Sequence, residues 1–307
     1  MIEPSPQLFE QPFTKFRNAI ARKEFLITAE VSPPKGSNPE HMLAQARSLK
    51  GYVHAINITD SSRAVMSMSP LAASVLIQQQ IGIDTICQMA CRDRNRIALQ
   101  GDLLGAAALG ITNILALTGD PVKAGDSTDA RSVFDYESVR LLQLIQKMNL
   151  GIDANGKDLP DQGTNLFVGA AVDPQSPSWS GLQKRFERKI NAGAQFFQSQ
   201  LITDFERLDK FMNQIANQSD KPILAGIFLI KSAKNALFLN KYVPGVHIPD
   251  HIIERLAKAK SPLQEGLAIA AEQIQTARQV CQGVHIMAIK AEHLIPEILE
   301  RANAAII

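Results

Sequence analysis

Short runs of almost uninterrupted apolar residues alternate along the chain with longer stretches whose apolar positions recur every three or four residues. The short runs cover residues 25–31, 53–59, 84–89, 113–117, 166–171, 196–200, 223–228 and 284–288. An apolar run too short for a helix and lacking polar alternation predicts a strand buried on both faces, as in a parallel sheet. The stretches between them predict helices over 41–50, 70–80, 94–109, 138–148, 180–192, 205–217, 232–239 and 262–282, with a last helix beginning near 291. Leu109-Gly110 and Ala192-Gly193 supply the glycine that ends a helix before the next strand. This repetition, with no break point, predicts an α/β fold: one (β/α)8 (TIM) barrel, a single domain over 1–307, with residues 1–24 as an N-terminal helical extension. An open doubly wound sheet is the alternative.

Composition narrows the function classes. The 307 residues are 45% hydrophobic, enough for one large core. Lys+Arg total 32 against Asp+Glu 30, which argues against a nucleic-acid surface. The one basic cluster, at 184–189, reads first as a solvated helix face. No apolar stretch approaches the roughly 20 residues that span a bilayer. The start of the chain lacks the basic-then-apolar layout of a secretory signal, so a cytoplasmic protein is expected. Cys87, Cys91 and Cys281 read as reduced, buried thiols. No metal site is expected: Cys87 and Cys91 lack a second ligand pair, and Pro249 separates His247 from His251. There is neither a Gly-x-Gly-x-x-Gly after the first strand nor a Walker-type loop.

The candidate chemistry lies where apolar runs stop. The first run ends in Glu30-Val31-Ser32-Pro33-Pro34, and the fourth is followed by Thr118-Gly119-Asp120-Pro121. A carboxylate at a strand's C-terminal end sits on the edge where α/β folds do their chemistry. A half-shielded Glu30 suits proton delivery, and Asp120 suits stabilisation of a cation. A salt-bridged rim carboxylate and an Asp–Pro turn are the structural alternatives. Thr59, with Asp60, Ser61, Ser62 and Arg63, ends the second run and reads as polar-group binding or helix capping. Gln88 and Gln200 could each pair with a heterocycle or be satisfied core amides. Lys189 could reach a phosphate or simply be solvated, and Lys231 and Lys290 read as rim lysines.

Four segments together resemble methylenetetrahydrofolate reductase: residues 25–34, 114–121, 186–194, and Ser199 with Gln200. Residues 133–136, 168–171 and 243–246 add to the likeness, which is closest to forms without a regulatory domain. The resemblance implies a barrel carrying FAD at its mouth, and hydride transfer from reduced FAD to 5,10-methylenetetrahydrofolate, giving 5-methyltetrahydrofolate. It implies Glu30 as general acid and Asp120 as the carboxylate between flavin and pterin. It implies cofactor contacts at Thr59, Gln88, Thr118, Gly119, Asp120, Phe134, Asp135, Ala171, Val172 and Lys189. Substrate contacts fall on Glu30, Gln200, Ala233 and Lys290. NADH, NADPH or a partner protein would supply electrons, and a homo-oligomer is expected. The chain departs from the family pattern at Gln88 (often His), Thr118 (Arg), Val172 (Tyr), Leu182 (acidic), Leu229 (Pro) and Ala233 (aromatic). These departures leave two other readings: a flavin-bearing subunit that relays electrons in a complex, and a flavin-free folate-binding barrel.

Overall fold

The computed structural model describes residues 15–160, 163–243 and 245–304. Eight strands close a parallel barrel in sequence order: β1 (Leu26–Val31), β2 (Ala55–Ile58), β3 (Thr85–Ala90), β4 (Asn113–Leu117), β5 (Phe167–Val172), β6 (Phe196–Leu201), β7 (Ile223–Phe228) and β8 (Gly283–Met287). β8 pairs with β1 through Leu26–Gly283 and Thr28–His285, which excludes the open sheet. Each observed strand lies within two residues of its expected run, because nearly every strand residue is buried.

The helices follow as α1 (Lys15–Ala21), α2 (Glu40–Leu49), α3 (Pro70–Ile81), α4 (Arg96–Ala108), α5 (Ser138–Asn149), α6 (Trp179–Asn191), α7 (Phe205–Gln214), α8 (Ala233–Tyr242), α9 (Asp250–Lys258), α10 (Pro262–Val280) and α11 (Ile295–Arg301). Two differ from expectation. The helix expected over 205–217 stops at Gln214 and continues as a separate 3-10 turn, Ala216–Gln218. Helix α9 is not among the expected elements. Pro249, which separates His247 from His251, is its N-cap, and Ile252 and Leu256 bury one face of a short helix. Of the extension expected over 1–24, residues 1–14 lie outside the described residues. No described helix is long and apolar enough to cross a membrane.

The main core lies between strands and helices. A second core fills the barrel's lower interior: Leu26, Ala55, Ile86, Leu115, Phe196 and Leu224, closed by Phe16 and Ala19 of α1. The Phe16 ring meets Phe196 edge-on at 5.2 Å, and Phe167 stacks on Phe196 at 5.6 Å. Gly169 makes room for that ring, since a Cβ there would lie 2.3 Å from a Phe196 ring atom. Asp84 Oδ2 accepts the Phe16 backbone N–H at 2.9 Å and fixes α1 beneath the strands. The floor is thus sealed, and the open end is the rim formed by the strands' C-termini.

Candidate active site

Above the apolar floor, inward-facing residues turn polar on β1, β2, β3, β6 and β8, and this layer builds the site. On β1 the inward set is Leu26, Thr28 and Glu30; β2 contributes Ala55, Asn57 and then Thr59 just past its end. Above the apolar floor lie the buried side chains of Thr28, Asn57, Gln88, Gln198 and His285. Gln88 Nε2 donates to Asn57 Oδ1 at 2.8 Å, and Asn57 Nδ2 donates to Gln198 Oε1 at 2.5 Å. β2 and β6 stand on opposite sides of the ring, so this chain of amides crosses the lumen. Each amide satisfies the next; a buried polar group left unpaired costs about 1–3 kcal/mol.

On the β1–β8 wall, Thr28 Oγ1 lies 3.0 Å from His285 Nδ1. His285 is fully buried, and its Nε2 has no hydrogen-bond partner. Glu30 Oε2 stands 3.7 Å from that nitrogen, and its side chain is 15% exposed. Glu30 therefore reaches from the buried polar layer into the mouth.

Asp120 occupies the same rim on a different wall, after β4. Gly119 adopts φ +94°, and a Cβ there would lie 2.9 Å from Arg92 Cβ and 3.2 Å from Ala90 Cβ. Both the left-handed backbone and the lack of space require glycine. Thr118 is exposed and its hydroxyl accepts the Ser138 N–H. Asp120 Oδ2 accepts the Arg63 backbone N–H at 2.9 Å. That amide belongs to a loop in which Ser61, Arg63 and Ala64 all have positive φ, a conformation costly for residues with a Cβ. Asp126 ties the same loop down by accepting Met66 N–H at 3.1 Å and Lys35 Nζ at 2.7 Å. The Lys35 hydrogen bond, with that from Met66, holds the Asp126 carboxyl below its ordinary range. Loops from β1, β2 and β4 are thereby laced together over one side of the mouth. Beneath them Asp60 accepts Ala90 N–H at 2.8 Å and Arg94 Nη1 at 2.6 Å, and Gln88 Oε1 receives the Asp60 N–H at 3.4 Å.

The remaining expected cofactor residues spread along the β2–β6 side. Thr59 and Val172 are buried and Ala171 is half-buried. Lys189 reaches from α6 to the Ala171 carbonyl at 2.6 Å, and burial, with Arg185 nearby, lowers its affinity for a proton. Its ammonium has three donors and, among the described residues, this single hydrogen-bond acceptor. Asp135 accepts both the Arg96 backbone N–H and Nε, and the first of these bonds leads in holding it below the ordinary carboxylate range. Phe134 is 36% exposed with φ +44°. Leu182 is buried in the main core.

The expected substrate residues are more scattered. Gln200 is exposed where the β6–β7 register slips: Gln198 pairs with Leu224, but Leu201 pairs with Gly226. Ser199 Oγ fills the irregularity by accepting Gly226 N–H at 2.8 Å. Ala233 packs sideways against a satellite cluster containing Leu201, Ile230 and Leu239. Lys290 is exposed, with its backbone N–H on Glu292. Lys231 Nζ donates to the Ile289 carbonyl at 2.8 Å, a rim contact. The sequence reading missed Asn57, Gln198 and His285. Their common signal is a polar residue at an inward position of an apolar run, two residues above the apolar floor.

A family model described as methylenetetrahydrofolate reductase matches residues 15–303. A Caenorhabditis elegans protein described as a probable methylenetetrahydrofolate reductase (NADPH) is 25% identical over 270 residues, covering 83% of this chain and 38% of that one. Methylenetetrahydrofolate reductase 1 of Schizosaccharomyces pombe is 26% identical over 238 residues, covering 76% and 36%. This chain thus matches little more than a third of the length of either relative. Among solved structures, a Clostridium thermocellum protein described as binding two copies of 5-methyl-5,6,7,8-tetrahydrofolic acid superposes with a TM-score of 0.68 at 14% identity, over 94% of this chain and 99% of that one. A 2,3-dimethylmalate lyase superposes at 0.53 and 14%, over 95% and 88%. At such identities the likeness is one of fold.

Proposed function

The chain belongs to the methylenetetrahydrofolate reductase family, and from that membership we propose that it reduces 5,10-methylenetetrahydrofolate to 5-methyltetrahydrofolate at the barrel mouth, using non-covalent FAD. The observation that carries this reading is the match over 15–303, joined to two carboxylates at one rim. The residues suit a flavin dinucleotide. Gly119 allows a tight left-handed turn at the rim, Thr118 is exposed beside it, and Lys189 is a half-buried amine with a single hydrogen-bond acceptor among the described residues. Thr59, Gln88, Phe134, Asp135, Ala171 and Val172 would complete the contact set. Bound FAD would supply the hydride.

The rest of the work falls to the protein. Glu30 would give a proton to the nitrogen whose bond to the bridging methylene breaks; that bond's electron pair stays on nitrogen, leaving a cationic iminium. Asp120 would stabilise that cation by its negative charge. Gln200 would hold the pterin, with Ala233 and Lys290 toward its outer side. Electrons from a partner protein are a second reading, favoured by Ala233 packing into the satellite cluster where an aromatic would cover nicotinamide.

An absorbance spectrum of the purified protein, followed by anaerobic mixing of reduced protein with substrate, tests the proposal. Flavin bands and folate-dependent reoxidation are expected. Glu30→Gln should keep the flavin and lose folate reduction. A colourless protein that takes up no FAD, or a Glu30→Gln variant of undiminished rate, would overturn it.

A further inference from the structure

The line of amides that crosses the lumen is closed at one end and open at the other. Asn57 is fully buried between two glutamines, accepting Gln88 Nε2 at 2.8 Å and donating Nδ2 to Gln198 Oε1 at 2.5 Å. At the β3 end, Gln88 Oε1 receives the Asp60 N–H. At the β6 end, Gln198 Nε2 has no acceptor among the described residues. Gln198 is 8% exposed, and this nitrogen meets accessible space instead of being sealed in. The apolar floor closes the lumen below it, so that space lies on the mouth side.

Asn57 decides which way the Gln198 amide turns. The Asn57 nitrogen carries only hydrogens, so Gln198 must present its oxygen there; the reversed amide would press two N–H groups together at the same contact. The flanking walls offer no competing partner. In register, the same layer carries Ala171 on β5, beside Gln198, and Gly226 on β7, beside His285. A methyl group on one wall and no side chain on the other leave a flat space next to the free N–H.

We propose that Gln198 is a further cofactor-binding residue: held by Asn57, its Nε2–H donates to an acceptor atom of the flavin ring, a carbonyl oxygen or an unprotonated ring nitrogen. The inference rests on the flavin reading of the mouth. A pterin carries acceptors of the same kind, so the test separates the two rings.

FAD release from the loaded protein on dilution, followed by the gain in flavin fluorescence, measures the contact without turnover. Gln198→Leu should weaken FAD binding by about 3- to 10-fold, the range of one neutral hydrogen bond. Gln198→Glu keeps an oxygen for Asn57 but turns the outward donor into an acceptor. At about pH 9, where the introduced carboxyl is ionised, it should weaken FAD binding by about 10-fold or more. Parental FAD affinity in Gln198→Leu overturns the proposal. So does a weakened Gln198→Leu beside a fully binding Gln198→Glu, because that pattern leaves Gln198 only the task of satisfying Asn57. If Gln198→Leu does not fold, Gln198→Glu decides by itself, and unchanged FAD affinity overturns the proposal. Titration of 5-methyltetrahydrofolate into the flavin-loaded proteins is the second arm. Equal folate affinity in parent and variants is expected; a loss confined to folate gives the donor to the pterin and overturns the flavin assignment. A parent protein that takes up no FAD sinks the flavin reading, whereas a parent that binds FAD no better than its variants sinks this inference alone.

Discussion

Replacing Asp84 by Asn should stabilise the protein at neutral pH and change how its stability depends on pH. Asp84 is 1% exposed and accepts the Phe16 N–H at 2.9 Å beneath the barrel. Burial is the largest influence on its carboxyl and pushes it up to about 6 from 3.8; the Phe16 N–H, Arg17 and Lys15 only partly oppose this. The sign follows from proton counting. Between about pH 4 and pH 6 the folded chain holds this proton more tightly than the unfolded chain, so stability falls as pH rises through that window. The gap corresponds to roughly 3 kcal/mol, at about 1.4 kcal/mol per pH unit, incurred in full above pH 6. The replacement amide would keep an oxygen for Phe16 and remove the charge. It would add two N–H donors that need partners, so a net gain of about 1–2 kcal/mol near pH 7 is expected. Urea unfolding at matched ionic strength between about pH 4 and pH 8 measures both proteins, and the difference cancels every other carboxylate. Asp84→Asn should lie level with or below the parent near pH 4 and above it from about pH 6.5. A difference that does not vary with pH would refute the burial argument.

Three further outcomes are expected. Phe16→Ala empties the barrel floor and should cost about 3–5 kcal/mol in the same unfolding assay. Burial pushes the Cys87 and Cys91 thiols up to about 12 and Cys281 up to about 11; a thiol reagent at about pH 8 should therefore label them only on unfolding, as fast labelling of the native protein would disprove. Asp120→Asn should slow folate reduction and shift the flavin potential, read by stopped-flow and redox titration; unchanged values of both would reject an electrostatic role for that carboxylate.

Much of the barrel was legible because parallel strands covered on both faces are written as plain apolar runs. The run ending at Glu30 and the glycine turn before Asp120 announced polar groups at strand ends, and the structure sets both on one rim. His285 was not legible in the same way. It lies between Val284 and Ile286, and a run read as continuous hides its inward position. Gln198 was overshadowed by Gln200, though only Gln198 joins the lumen network. The lacing of Arg63 to Asp120 and of Met66 to Asp126 joins residues 57 and 60 positions apart, a pairing no local pattern encodes. Helix α9 escaped because nine residues with two buried apolar positions carry little periodic signal.

The aromatic stopper under the strands leaves the barrel with one doorway. Any two guests too bulky to stand in it together must take turns. Crowding by either then delays the other, so the order of arrival and departure is written into the architecture before any chemistry begins.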